Sequence, residues 1–372
     1  MKIKPVETKK DFKIFLDLPQ EIYKDSKNWV PKMDMDSKHL LGDKNPFYKH
    51  AWKKLFIAFN DKEEAIGRIA AIIDYNYVDF HDEKTGFFGF FDSIDDKEVS
   101  KALFNECEGA LLEKGMNNVI GPMNPSSNDE CGLLIDGFDL LPRIMMPYNA
   151  EYYMELLEAA GYAKAKDLLA FNMVINELDY SRLDKFIGKI KNRNPQLSCR
   201  YINLKSFNEE VESIRDIYNN AWEKNWGFVP WTDEELDDMA KQLKPLVVDD
   251  LVQIGCWEGK PVGFLLTLPD YNEIIKEIGR RLLPLGWLKF LLKKNKIMNL
   301  RLLAMGVNKE FQQKGVGALM YYNALMACRR IGYKECEFSW ILEDNYDTIR
   351  IADLMGGKVY KKYRIYQKDI AQ

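Results

Sequence analysis

The chain has 372 residues, 47% of them hydrophobic and 30% charged, with a net charge of −4. That length suits two ordinary domains, and the mild acidic balance gives no electrostatic case for nucleic acid. Six cysteines stand far apart with no C-x-x-C pair, and all three histidines (His39, His50, His81) lie near the N-terminus. This usage points to reduced thiols in a cytoplasmic protein and to no metal.

No apolar segment follows Met1-Lys2-Ile3-Lys4, so no signal peptide is expected. A polar helix is predicted over 11–24, then a strand pair over 54–60 and 65–74 joined by Asn60-Asp61-Lys62-Glu63. A strand, a helix stopping at Gly115 and a further strand come next. From Met123 to Pro142 an Asn/Ser/Asp/Gly-rich stretch reads as a long loop, a surface flap or a functional one. Asn192-Arg193-Asn194-Pro195 breaks the pattern, and the same order of elements then starts again: a helix over 209–224, and strands over 251–257 and 261–268 joined by Glu258-Gly259-Lys260.

The recurrence is an internal repeat. Ile22-Tyr23, Asn28-Trp29 and Val30-Pro31 reappear as Ile217-Tyr218, Asn225-Trp226 and Val229-Pro230. Gly67 with Asp74 matches Gly263 with Asp270, and Asn149 with Gly161 matches Asn345 with Gly357, all at offsets between 195 and 199. Strands first, then strands alternating with helices, predict an α/β fold of two tandem domains (1–180 and 195–372), each a mixed central sheet flanked by helices. The second copy carries an insertion over 272–298. In it Lys276, Arg280, Arg281, Lys289, Lys293, Lys294 and Lys296 alternate with leucines, Trp287 and Phe290. This segment suits a lid or dimer contact, and equally a membrane surface, an acidic acyl-carrier protein or a fatty-acyl tail through 276–296.

The most informative stretch follows it. An apolar strand over 300–307 runs into Asn308-Lys309-Glu310-Phe311-Gln312-Gln313-Lys314-Gly315-Val316-Gly317-Ala318 and then a helix with one apolar face, ending at Arg329-Arg330-Gly332. The first turn of a helix holds unpaired N–H groups and the positive end of the dipole. Two glycines let an anion approach them, and Lys314 adds a charge. An ordinary tight turn is the alternative.

Gln312-x-x-Gly315-x-Gly317 resembles the Gln/Arg-x-x-Gly-x-Gly/Ala loop of the GNAT superfamily of acyltransferases, and Asn345 with Gly356-Gly357 is similar to that family's Asn…Gly-Phe motif. The resemblance implies acetyl-CoA or another acyl-CoA as co-substrate, its diphosphate held by Gln312, Gln313, Lys314, Gly315, Val316, Gly317 and Ala318 with Asn345. Its pantetheine arm and thioester would lie along Met305, Gly306 and Val307. It also implies direct attack by an amine, from a small molecule or peptide, with acetyl as the simplest transferred group. The family's frequent tyrosine, seven residues after the Asn, is Ala352 here; Tyr360, Tyr363, Tyr366 or water is the candidate substitute, with Tyr363 taken as the acid. Glu337 is the candidate base, on one strand face with Ser339. Trp222, Trp226 and Trp231 are candidates for the acceptor pocket. When the two central helices are aligned on their stops, the first copy has Asp95, Glu98 and Ser100 at the motif positions, so only the second is expected to bind the nucleotide. A carrier-linked long-chain or aminoacyl transferase and a non-catalytic acyl-CoA sensor remain alternatives.

Overall fold

The computed structural model describes residues 1–223 and 225–371; Lys224, the predicted end of one helix, and Gln372, the end of the predicted second domain, lie outside the described residues. The first half of the chain runs β1 (Lys2–Pro5), α1 (Lys9–Ile22), α2 (Asp34–Leu40), β2 (Ala51–Phe59), β3 (Ala65–Asp74), α3 (Tyr75–His81), β4 (Thr85–Ser93), α4 (Lys97–Glu113) and β5 (Asn118–Gly121). It continues through β6 (Met123–Asn124), β7 (Glu130–Cys131), β8 (Leu133–Asp136), α5 (Tyr153–Ala159) and β9 (Ala163–Val174). The second half runs α6 (Tyr180–Arg193), β10 (Leu197–Tyr201), α7 (Phe207–Trp222), α8 (Asp233–Leu243), β11 (Val252–Trp257) and β12 (Lys260–Pro269). It ends with α9 (Asn272–Ile278), α10 (Gly286–Lys293), β13 (Asn299–Val307), α11 (Val316–Ile331), β14 (Glu335–Leu342), α12 (Tyr346–Leu354) and β15 (Lys358–Asp369).

Local chemistry accounts for many boundaries. Thr8 with Asp11 and Thr232 with Glu235 form reciprocal capping boxes that start α1 and α8. At the end of α11, Gly332 takes the left-handed conformation, with Arg329 and Arg330 in the last turn. The stretch 123–142, expected as a loop, contains β6, β7 and β8. β6 pairs with the nearby β7, and β8 pairs with β15; the second is a non-local pairing that turn-rich composition does not reveal.

Two compact units emerge. One comprises Met1–Leu168, Asn272–Lys293 and Lys361–Gln372; the other comprises Leu169–Tyr271 and Lys294–Tyr360. The first unit's sheet runs β1-β2-β3-β4-β5-β15, antiparallel except for the parallel β4–β5 pair. Its core joins Phe88, Leu103, Phe104 and Tyr153. The second unit's sheet runs β10-β11-β12-β13-β14-β9, again with one parallel pair, β13–β14, among those whose register is defined. Its core joins Leu300, Val316, Met320 and Phe338. The inserted α9 and α10 count with the first unit. Asn272 Nδ2 donates to the Pro142 carbonyl at 2.9 Å, and Arg281 pairs with Asp34 at 2.9 Å.

Candidate active site

In the second unit β13 and β14 pair from Asn299↔Glu335 to Leu302↔Phe338 and no further. Beyond that point β13 keeps pairing with β12 up to Val307, past a register shift that leaves Leu303 unmatched. A bulge of this kind bends its strand, so the parallel pair opens into a wedge. Leu303, Ala304 and Met305 are only half-buried there, and strand-end N–H and C=O groups are left for a ligand.

Directly after β13, a 3-10 turn over Lys309–Lys314 leads into α11. Gln312 Nε2 donates to the Val307 carbonyl at 3.2 Å, which ties the turn back to the strand end. Gly315 occupies the N-cap of α11 at φ +84° and, being glycine, brings no side chain to cap the helix. A Cβ on Gly315 would lie 2.5 Å from Ile190 Cγ2 of α6, so this glycine serves the backbone and the packing. One on Gly317 would meet only Met305 Cε at 3.3 Å and Val307 Cγ2 at 3.8 Å. The Lys314 ammonium rests over the Phe311 and Trp257 rings, 4.5 and 4.8 Å from their centroids. Val316 is fully buried, Gln313 is exposed, Ala318 is half-buried against the core, and Asn345 caps α12 by accepting from the Thr348 N–H.

The first unit builds the same junction and closes it. The β4–β5 pairing stops at Phe87↔Ile120, yet Asn124 of β6 comes back to accept from the Phe90 N–H at 2.6 Å. A Cβ on Gly89 would lie 1.8 Å from the Met123 carbonyl oxygen; the wedge is filled by its own chain. At the N-terminus of α4 the Asp96 carboxylate accepts from the Glu98 and Val99 N–H groups at 2.8 and 3.3 Å. An internal anion thus takes the donors that α11 leaves open. The counterpart of Gly315 is therefore Asp96, both being N-caps, whereas alignment on the helix stops pairs Gly315 with Glu98.

Side chains alternate along β14. Phe338 faces Tyr321 of α11, while Glu337 and Ser339 point to the other face. Glu337 is 0% exposed, not the solvated carboxylate that an isolated strand glutamate suggests. Ser339 Oγ donates to Glu337 Oε1 at 2.5 Å, and Tyr360 OH donates to Oε2. Arg301 Nε donates to Ser339 Oγ at 2.9 Å and stands 3.7 Å from Glu337 Oε1. Arg301 also lies under the Trp340 ring, 5.3 Å from its centroid. A buried carboxyl group is costly unless it has hydrogen-bonding or charged partners, and Ser339, Tyr360 and Arg301 supply them here. Tyr363, the expected acid, lies in the first unit, 0% exposed and opposite Leu134; the tyrosine that touches Glu337 is Tyr360. Burial pushes the Cys328 thiol up to about 12 and Cys199 to about 11, so neither supplies a thiolate near neutral pH.

On the α7 side of β12 and β13, Tyr218 makes edge contacts with Trp222 at 4.3 Å and Trp231 at 6.1 Å, and Trp222 meets Phe264 at 5.7 Å. Ala304, in the opened part of β13, packs into the same cluster. Trp226 is half-buried and lies outside these ring contacts. Sequence reasoning passed over Arg301 and Trp340. An arginine inside the apolar run 300–307 was the available signal, since a charge there needs a buried partner.

The acetyltransferase (GNAT) family model matches residues 211–356. Protein YghO of Escherichia coli K12 is 37% identical over 97% of this chain and 94% of its own length. The bacterial ceramide synthase of Caulobacter vibrioides NA1000 is 34% identical over 98% of this chain and 96% of its own. Among solved structures, a tandem GNAT protein from the clavulanic acid pathway superposes with a TM-score of 0.60 at 10% identity, covering 100% of this chain and 99% of that one. A GCN5-related N-acetyltransferase from Anabaena variabilis gives 0.55 at 10% identity, covering 100% and 73%. The chain belongs to the GNAT superfamily of acyltransferases, as a tandem two-domain member.

Proposed function

We propose that the protein transfers a fatty acyl group from acyl-CoA to the amine of a long-chain amino alcohol, and that the second unit alone performs the chemistry. The observation that carries the catalytic reading is the contrast between the two helix N-termini. The N-cap of α11 is a glycine with no side chain to cap it, whereas the Asp96 carboxylate caps α4. A diphosphate is a dianion that gains from open N–H donors and from the helix dipole. It would be repelled by Asp96. The sequence by itself leads to acetyl as the transferred group. The relative named bacterial ceramide synthase leads to a longer one, because a ceramide is a sphingoid amine carrying a fatty acid on nitrogen.

In this reading the thioester lies in the wedge between β13 and β14, its carbonyl oxygen facing the N–H groups of Met305 to Val307. The acceptor's apolar chain lies against Trp222, Trp231 and Tyr218, with Trp226 at the edge. The amine attacks the carbonyl carbon; a C–N bond forms, the C–S bond breaks and the CoA thiolate leaves. The amine attacks as the neutral base and its nitrogen becomes positively charged in the adduct; both Glu337 oxygens are engaged, so the proton shed by that nitrogen passes to the Tyr360 oxygen as the Tyr360 proton passes to Glu337. Return of that proton along the same path to the thiolate completes the cycle. Arg301 and Ser339 hold the carboxylate in place.

The test is incubation of the full chain with acetyl-CoA or palmitoyl-CoA and either sphinganine or a short hydrophilic amine. Thiol release is followed, and the product is identified by mass spectrometry. Amide formation from palmitoyl-CoA and sphinganine is the expected result. Acetylation of the short amine alone would overturn the acyl and acceptor assignment. CoA binding without thiol release under any pairing would overturn the enzymatic one.

A further inference from the structure

The inserted segment has a root and a tip of opposite character, and both can be described within the first unit. The root is polar and fixed. Lys276 Nζ donates to the Lys27 and Trp29 carbonyls at 2.6 Å each, and the Asp34 N–H donates to the Arg280 carbonyl at 3.0 Å. Arg280 pairs with Asp17 and Asp34. The tip is apolar and open. Leu283, Leu285, Trp287, Leu288, Leu291 and Leu292 are between 43% and 75% exposed, and α10 contains no buried residue. At 100° per residue, Trp287, Leu288, Leu291 and Leu292 share an arc of roughly 140° on α10, with Lys289 and Lys293 on the other side. Trp287 Nε1 donates to the Pro284 carbonyl at 3.0 Å, which sets the indole on the turn before the helix.

The charge left beside this tip is positive. Within the first unit the stretch 279–293 contains Arg280, Arg281, Lys289 and Lys293 and no acidic residue, in a chain whose net charge is −4. Asp17 and Asp34 take up the two arginines and Glu277 takes up Lys293, which leaves Lys289 as the cation beside the arc. A protein partner fits poorly, because lysine is depleted at protein–protein interfaces. A short helix with leucines and a tryptophan on one arc and lysines beside it is the composition of segments that lie in a bilayer interface. The lysines then reach anionic headgroups.

We propose that α10 and the turn before it dock the first unit onto an anionic lipid bilayer, with the Trp287–Leu292 arc in the acyl boundary and Lys289 at the headgroups. The inference stands on this surface and does not rest on the acyl-transfer reading. It would, however, bring the protein to where long-chain amines reside.

The test sediments the full chain with vesicles of phosphatidylcholine alone, or with one third phosphatidylglycerol. The wild type is compared with the double variant Leu288→Glu, Leu292→Glu and with Lys289→Glu. Both substituted leucines are exposed, so unchanged melting curves should show that the fold is retained. The expected result is binding to anionic vesicles that drops at least tenfold in the double variant, drops several-fold in Lys289→Glu, and weakens in high salt. Failure of the wild type to bind anionic vesicles, equal binding to neutral ones, or undiminished binding of the double variant would overturn the proposal. So would patch-dependent association with a second copy or an acidic carrier protein in the absence of vesicle binding.

Discussion

Replacing Gly317 by glutamate separates a phosphate-binding role from a structural one. Gly317 is in the first turn of α11, in a conformation open to any L residue. An added Cβ would meet the movable end of Met305 at 3.3 Å and Val307 at 3.8 Å, so the fold accommodates it. A carboxylate in the first turn of a helix stabilises it by about 0.3–1 kcal/mol. It would nevertheless repel a bound diphosphate and compete for the N–H groups the diphosphate needs. A hydrogen bond to a charged group is worth about 1.5–3 kcal/mol, so losing one weakens CoA roughly tenfold to 150-fold. Titration calorimetry with CoA should show that loss, with a melting temperature equal to or above the wild type. Gly317→Ala stays within the Gly/Ala pattern of the loop and should keep CoA affinity close to the wild type. Gly315→Ala is the contrasting case. The left-handed conformation costs a non-glycine residue about 1–2 kcal/mol, and its Cβ would lie 2.5 Å from Ile190, so lower stability accompanies any loss of binding. A folded Gly317→Glu protein that binds CoA within twofold of the wild type would refute the reasoning.

Asp96→Ala removes the cap of α4. It should lower stability by about 1 kcal/mol in chemical denaturation, with CoA affinity unchanged. Tyr360→Phe removes the hydroxyl that donates to Glu337. Turnover should fall and its pH profile should change, while stability changes by about 1 kcal/mol. Glu337→Gln leaves Arg301 buried beside a neutral partner, and a loss of about 3–5 kcal/mol should appear in the melting curve, so activity must be read on the folded fraction. Trp222→Ala and Trp231→Ala should raise the KM for the long-chain amine more than that for acyl-CoA in initial-rate kinetics. In the first unit burial tends to raise the Asp167 carboxyl, but hydrogen bonds from Arg364 and Lys164 hold it below the usual range. Its stabilisation is therefore present above the unfolded-state value of about 3.9 and fades as pH falls through the lower folded value. Asp167→Asn should flatten that part of an acid-denaturation curve.

The strand–turn–helix around Gly315 was legible because each piece is local: an apolar strand, a glycine at a positive φ, and a helical period ending at Gly332. The repeat was legible for the same reason. Non-local pairing was not. Nothing in the sequence places Arg301 opposite Glu337, since that register exists only once β13 and β14 lie side by side. The choice of Tyr363 over Tyr360 depends on which face of β15 meets which neighbour, and Tyr363 lies opposite Leu134 in the first unit. Aligning the copies on their helix stops hid the Asp96 cap, because α4 and α11 differ by one residue in length and end differently. The inserted segment's composition was plain, whereas the ion pairs that root it, Arg280 and Arg281 with Asp17 and Asp34, join positions more than 240 residues apart.

The most direct measurement is the structure of the protein with coenzyme A bound. The account predicts the diphosphate at the backbone nitrogens of Val316, Gly317 and Ala318, and the pantetheine arm along Met305 to Val307. A diphosphate seated at the N-terminus of α4, or one touching neither helix, would contradict it.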